Sequence, residues 1–303
     1  EMGKALLRAT PLADYVSPSR SYLRKLNRNM ANAVDSIFGN KNDSTIYNNT
    51  IGILEEKYGA FDSDMLIQSA KLDDAAKLID GKKKGNAIVA GRYKVMAYLL
   101  QLEYESNLDA DGNPKAGTAP AAEWIDATSE HFGKLLEEDG VEGMQESINE
   151  LQRIKAEFEV GGQISIDKLE KSFTADEKKG IALIQQVNDS MAEKALFTST
   201  VIRGKRADVY GNYIHHQVLH SKDSDAKSEL ENVMGRFTQP STKAANLNER
   251  TPGVKPINFD PVTSTLRSTK MTLLDYHMTP AVREVNQTVA KMKAMAPAGS
   301  IQR

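Results

Sequence analysis

The chain has 303 residues, 40% of them apolar and 26% charged, and its 39 basic and 41 acidic side chains nearly cancel to a formal charge of −2. That composition supports a buried core and excludes wholesale disorder, and the near-neutral balance leaves no global field to recruit nucleic acid or an anionic membrane. The lack of cysteine excludes disulfides, zinc–thiolate sites, iron–sulfur clusters and thiol nucleophiles, and no run approaches the roughly 18 apolar residues of a membrane span.

Length alone favours about two domains or one elongated helical array. Few aromatics, with ordinary proline and glycine usage, argue for helices over a sandwich of short strands. The start at Glu1 fits either initiator removal with processing or excision from a longer polypeptide, and the basic first segment and the ending Ala-Pro-Ala-Gly-Ser-Ile-Gln-Arg make the second attractive.

Residues 1–18, broken by Pro11 and Pro18, read as an extended arm, and a helix is expected from Ser19 to Phe38, stopped by Gly39. A second helix is expected over 45–58 on Ile46, Ile53, Leu54 and Tyr58. The third, over 63–80, sets Leu66, Ile67, Ala70, Ala75, Leu78 and Ile79 on one stripe and ends at Gly81. After a solvated turn at Lys82-Lys83-Lys84-Gly85, Val89, Tyr93, Met96, Leu99, Leu100 and Tyr104 recur at helical steps, so these two segments are expected to pair as an antiparallel hairpin.

The stretch 107–120 carries turn chemistry around Asp111-Gly112-Asn113-Pro114. Trp124, Ile125, Thr128, Phe132, Leu135 and Leu136 mark the next helix, and Val141, Met144, Ile148, Leu151, Ile154 and Phe158 form the seam of a bundle helix. Gly161-Gly162 breaks that helix, and Gln163 to Ile166 is the best strand candidate. Thr174 and Glu177 have capping-box spacing, with a helix to Leu196 behind them. Residues 198–261 contain Gly204, Gly211, Gly235, Pro240, Pro252, Gly253, Pro256 and Pro261 and read as irregular. A final helix is expected to open at Thr279-Pro280, with Val282, Val285, Val289 and Met292 at heptad spacing.

The expected fold is therefore mainly α: an antiparallel helical bundle or elongated helical array with an irregular C-terminal third. Three regions are expected: helical residues 1–108, helical residues 121–197, and residues 198–303, irregular and ending in a helix.

Candidate chemistry is sparse. His216 and His220, four residues apart, would share a helical face and suit zinc, yet the residue after His216 is Gln217 where a zincin needs Glu, and a third ligand is missing. These histidines are weak metal candidates, and structural or surface roles are the favoured account. Asn107, Asp109 and Asp111 before Gly112 have the spacing of half a calcium loop, but the twelfth position is Thr118, so a tight acidic turn is the better account. Arg203, Lys205 and Arg206 followed by Tyr210 and Tyr213 form a basic patch with aromatics, suited to phosphates and stacked bases, although the acidic run at 223–231 opposes a continuous track. Arg20, Arg24, Lys25 and Arg28 offer a second, weaker patch. No Walker loop, dinucleotide fingerprint, nucleophile elbow or kinase motif occurs. The sequence singles out no catalytic residue and implies no cofactor.

From Arg203 to Arg303 a helical stretch leads to Gly204-Lys205-Arg206 and Tyr210-Gly211-Asn212-Tyr213-Ile214-His215-His216, then a Pro-rich passage through Arg250 and Phe259-Asp260, then the helix at Thr279. This third of the chain resembles internal virion proteins of tailed phages that are ejected with the genome, or segments of very large phage or mobile-element polyproteins. The resemblance implies a piece of a long ejected protein that assembles into a tube or channel for DNA delivery, located in the virion or the host cytoplasm. It implies protein partners or a homo-oligomer, with DNA contact as an option, and carries no polymerase activity onto these residues.

Two functions compete. One is a structural assembly protein whose helices, marked by Val141, Met144, Ile148 and Leu151 and by Val282, Val285, Val289 and Met292, offer faces to partners. The other is a nucleic-acid-processing or nucleotide-using enzyme domain with a site around residues 203–220.

Overall fold

The computed structural model describes residues 52–139, 143–202, 204, 210–219 and 253–295. The expected arm, the 19–38 helix and the Arg20 to Arg28 patch lie outside these residues. The described elements run α1 (Ile53–Asp80), α2 (Asn86–Ser106), α3 (Ala121–Asp139), α4 (Met144–Phe158), β1 (Glu159–Val160), β2 (Gln163–Ile164), α5 (Ile166–Ser172), α6 (Ala175–Phe197) with a π turn at Thr198–Ile202, and α7 (Pro261–Met295). The protein is mainly helical, as its composition and periodicity indicate.

Two compact units share these elements, one drawing on described residues within 1–69 and 273–303, the other formed by 70–272. In the larger unit α3 packs along α4, and α2 lies against α3, α4 and α5. Every residue of α2 from Val95 to Gln101 is buried, so its centre is covered on all sides and not on the single stripe that the spacing suggests. Met96, Leu99 and Leu100 are in the core as expected, whereas Val89 is exposed.

Helix α4 starts after Gly143, whose φ of 85° is left-handed, and buries Leu151, Ile154 and Phe158 along the expected seam. Trp124, Ile125, Thr128 and Phe132 are buried on α3. The strand expectation holds for Gln163 and Ile164, which pair antiparallel with Val160 and Glu159 through Gly161 and Gly162 at positive φ. It fails at Ser165 and Ile166: the Ser165 hydroxyl accepts from the Lys168 N–H and starts α5 instead. The capping box at Thr174 and Glu177 is present, with both of its hydrogen bonds formed.

Three expectations are corrected. Residues 53–80 form one helix with no break near 58–63, and the Tyr58 and Phe61 rings sit 5.6 Å apart across it. Its buried stripe is Phe61, Met65, Leu72, Ala75 and Ile79, while Ile67 and Ala70, placed on the core face by spacing, are exposed. The buried face runs at steps of four and three through Phe61, Met65, Gln68, Leu72, Ala75 and Ile79, so a polar Gln68 sits within it and Ile67 and Ala70 fall outside it. The last helix opens at Pro261, not at Pro280, because Asp260 caps it: one carboxylate oxygen accepts the Val262 N–H at 2.9 Å and the Thr263 N–H at 3.4 Å. Pro261 then occupies the first helical turn, where its missing N–H costs nothing, and Pro280 lies inside the helix.

Within the larger unit α6 approaches α1 closely at one point. A Cβ added to Gly180 would meet Ile79 Cγ1 at 2.8 Å and the Ala75 carbonyl oxygen at 2.9 Å. Helix propensity alone makes Gly→Ala favourable by about 1 kcal/mol, but a clash with backbone cannot be relieved by a rotamer change and costs about 1–3 kcal/mol. Gly180→Ala is therefore expected to lower stability in urea denaturation; a raised midpoint would show that the helices do not meet at this glycine.

Candidate functional site

Two buried polar centres lie in the larger unit. The first forms where the end of α2 meets the irregular segment 210–219. Glu103 is 1% exposed although it carries a carboxylate. Its Oε1 accepts the Ile214 N–H at 3.2 Å, and its Oε2 lies 2.8 Å from His216 Nε2. The His216 ring in turn packs on Trp124 of α3, with centroids 4.4 Å apart.

One turn along α2, the buried Asn107 side chain grips Gly211 from both sides. Its Nδ2 donates to the Gly211 carbonyl at 2.8 Å and its Oδ1 accepts the Gly211 N–H at 3.0 Å. Buried Thr128 holds the second irregular segment, its hydroxyl accepting the Ile257 N–H at 3.1 Å. The two segments also pair with each other, Leu219 N–H donating to the Pro256 carbonyl and Asn258 N–H to that of Gln217. Buried backbone without a regular partner is costly, and these side chains supply the missing partners.

Residues 213–219 are not helical, so His216 has no helical face to share with His220, which lies outside the described residues. Among the described residues no group of three His, Asp or Glu side chains has metal-holding geometry. Asp109, from the calcium-like spacing, accepts the backbone N–H groups of Asp111 and Asn113 at 2.9 and 2.8 Å, which makes a tight acidic turn. These bonds, led by that from the Asn113 backbone, hold its carboxyl below the usual range.

Arg203, Lys205 and Arg206 lie outside the described residues. Tyr210 donates its hydroxyl to the Ala116 carbonyl at 3.1 Å under the ammonium of Lys115, 5.3 Å from the ring centroid. Tyr213 is buried, with its hydroxyl 3.3 Å from His215 Nδ1. Of the interaction-helix residues, Leu151 and Val285 are buried, Met144, Ile148 and Val282 are half-buried and Val289 is exposed. Val141 and the Met292 side chain lie outside the description.

Sequence reasoning missed Glu103, and took Asn107 only as part of a tight acidic turn. The signal at Glu103 was present: Gln101 and Glu103 are polar residues at the end of the apolar run from Val95 to Leu100, and both are buried.

The second centre joins the α1–α2 turn to the start of α6. Glu177 Oε2 accepts the Thr174 N–H as part of the capping box, while Oε1 takes the Lys83 ammonium at 2.7 Å and lies 3.7 Å from that of Lys94. Burial pushes the Glu177 carboxyl up, but the Lys83 hydrogen bond, the Thr174 N–H and both lysine charges outweigh it and leave the group below its ordinary value. Lys83, expected in a solvated turn, is thus a tertiary ion pair.

Comparison with known proteins gives no match: no family model, no curated protein and no solved structure matches the chain.

Two outcomes test these centres. His216→Ala removes the ring from Trp124 and the hydrogen bond from Glu103, and should cost about 2–4 kcal/mol in chemical denaturation; a change near zero would mean that the segment is not held there. The Glu177 pKa is depressed on folding, so its stabilisation is present above the unfolded value near 4.5 and is lost as pH falls through the lower native value. Glu177→Gln keeps the cap geometry and should flatten the acid limb of a stability–pH curve; an unchanged limb would count against the pairing.

Proposed function

We propose that this chain is a structural assembly protein whose last helix presents an interaction face, in the manner of an internal virion protein ejected by a tailed phage. The observation that carries the reading is the course of α7. Val282, Val285, Val289 and Met292 follow steps of three, four and three, the spacing of a helix–helix seam. The seam begins under cover, with Val285 only 4% exposed, and then leaves it: Val289 is 37% exposed, and Ala290, Lys291 and Ala294 beyond it are exposed as well. An apolar seam that continues into water is suited to a partner helix.

The buried ionisable groups add support. Glu103 and His216, Glu177 and Lys83, and Arg92 with Asp80 and Asp260 are paired with one another, the arrangement expected of groups that hold segments together. No described residue favours the enzyme alternative around 203–220. Assembly into a genome-delivery channel, and location in the virion or the host cytoplasm, belong to the same proposal and rest on the resemblance of residues 203–303.

Light scattering on size-exclusion fractions tests the reading. The parent chain is expected to self-associate with increasing concentration, and Val289→Asp, which changes an exposed position, should keep its helical circular dichroism while eluting as a monomer. A parent chain that stays monomeric throughout, indistinguishable from Val289→Asp, would overturn assembly through α7.

A further inference from the structure

The lysine pair on Glu177 has one cation more than its carboxylate needs. Lys83 makes the short contacts, donating to Glu177 Oε1 at 2.7 Å and to the Ile79 carbonyl at 2.8 Å. Lys94, from the next turns of α2, stands 3.7 Å from the same oxygen, 3.3 Å from the Ser172 carbonyl and 4.6 Å from the centroid of Phe173. The other carboxylate oxygen is used by the Thr174 N–H. Two ammonium groups therefore converge on one oxygen, at the edge of the molecule, where the Lys94 side chain keeps 18% of its exposure.

We propose that Lys94 is a site of covalent acylation by small acyl donors of the acyl phosphate and thioester classes, and that its acylation leaves the Lys83–Glu177 tie intact. The neutral amine of Lys94 adds to the acyl carbonyl carbon, forming the C–N bond. The bond from that carbon to the phosphate oxygen or thioester sulfur breaks, and phosphate or thiolate leaves with the electron pair. The proton lost from nitrogen passes to water. The product amide retains one N–H, suited to the Ser172 carbonyl, and removes only the surplus charge.

The surroundings favour this amine over two exposed lysines, Lys77 and Lys134. Burial lowers the Lys94 pKa, with the nearby Lys83 charge adding to it against the opposing pull of Glu177. The exposed lysines Lys77 and Lys134 are raised instead, by hydrogen bonds to Asp73 and Asp74 and to Glu130. Near neutral pH the nucleophilic form is thus more abundant at Lys94 than at those two positions.

The test uses the folded full chain with limiting acetyl phosphate near neutral pH, followed by site-resolved peptide mass spectrometry over time. Lys94 is expected to be acetylated several-fold faster than Lys77 and Lys134, and the difference should vanish in denaturant. A folded-state rate at Lys94 no higher than at those two lysines would overturn the proposal. Lys83→Gln turns Glu177 toward Lys94 alone and should slow its acetylation; an unchanged or faster rate would refute the shared carboxylate. Lys94→Gln, which mimics the neutral product, should keep the parent thermal midpoint while Lys83→Gln lowers it. Equal losses from the two variants would show that acylation cannot leave the tie intact.

Discussion

The larger unit is organised around a single guanidinium. Arg92 donates from Nε and Nη2 to the two oxygens of Asp80, at 3.0 and 2.8 Å, and from Nη1 to Asp260 at 2.7 Å. Its planar fork matches the first carboxylate in the bidentate manner open to arginine but not to lysine. Asp80 ends α1, Arg92 lies in the second turn of α2, and Asp260 caps α7. One side chain therefore fixes the closure of the α1–α2 turn and the point at which α7 begins. The Asp80 hydrogen bond outweighs burial and leaves the guanidinium more firmly charged than usual.

The same logic recurs at each place where irregular chain meets the helical core. Burying Glu103 or Glu177 is unfavourable unless the charge is matched and its lone pairs are filled, and in both cases one oxygen takes a backbone N–H and the other a cationic or imidazole nitrogen. Such ties contribute little net free energy compared with an apolar replacement. They specify geometry: the buried Glu103 carboxylate requires partners, and the Ile214 N–H and the His216 ring supply two of them. That requirement selects one path for residues 210–219, whose sequence has no strong helix or strand preference to select it. Apolar packing then follows, with Ile214, Ile257 and Phe259 buried behind the polar contacts.

This division explains what could be read from the sequence. Helices α2 to α4 and α6 were legible because their apolar residues recur at helical steps and because Thr174 and Glu177 announce a cap within four residues. The start of α7 was not, since proline both breaks helices and begins them. Asp260 before Pro261 is a cap-and-first-turn pair, but its meaning depends on Arg92, 168 residues away in sequence. The helical reading of the paired histidines rested on a similar local pattern. Four-residue spacing implies a shared face only on a helix, and residues 213–219 are held extended by Gln217 and Leu219 bonding to Asn258 and Pro256. Long-range hydrogen bonds decide the conformation there, and no local pattern encodes them.

Helix α7 shows how far polar residues shape this fold. Ser264, Thr265, Ser268, Thr269 and Thr272 are all buried, on a stretch in which an ordinary core helix would carry leucine. Small side chains bring backbones close, as Gly180 does where α6 meets α1, and so favour contact between elements over bulk apolar burial. The hydroxyls of Thr265, Thr269 and Thr272 have no hydrogen-bond partner, so this closeness carries a desolvation cost. The first half of α7 thus carries a polar cost that leucine would not impose, and the apolar burial of this helix rests on Val262, Leu266, Leu273 and Leu274.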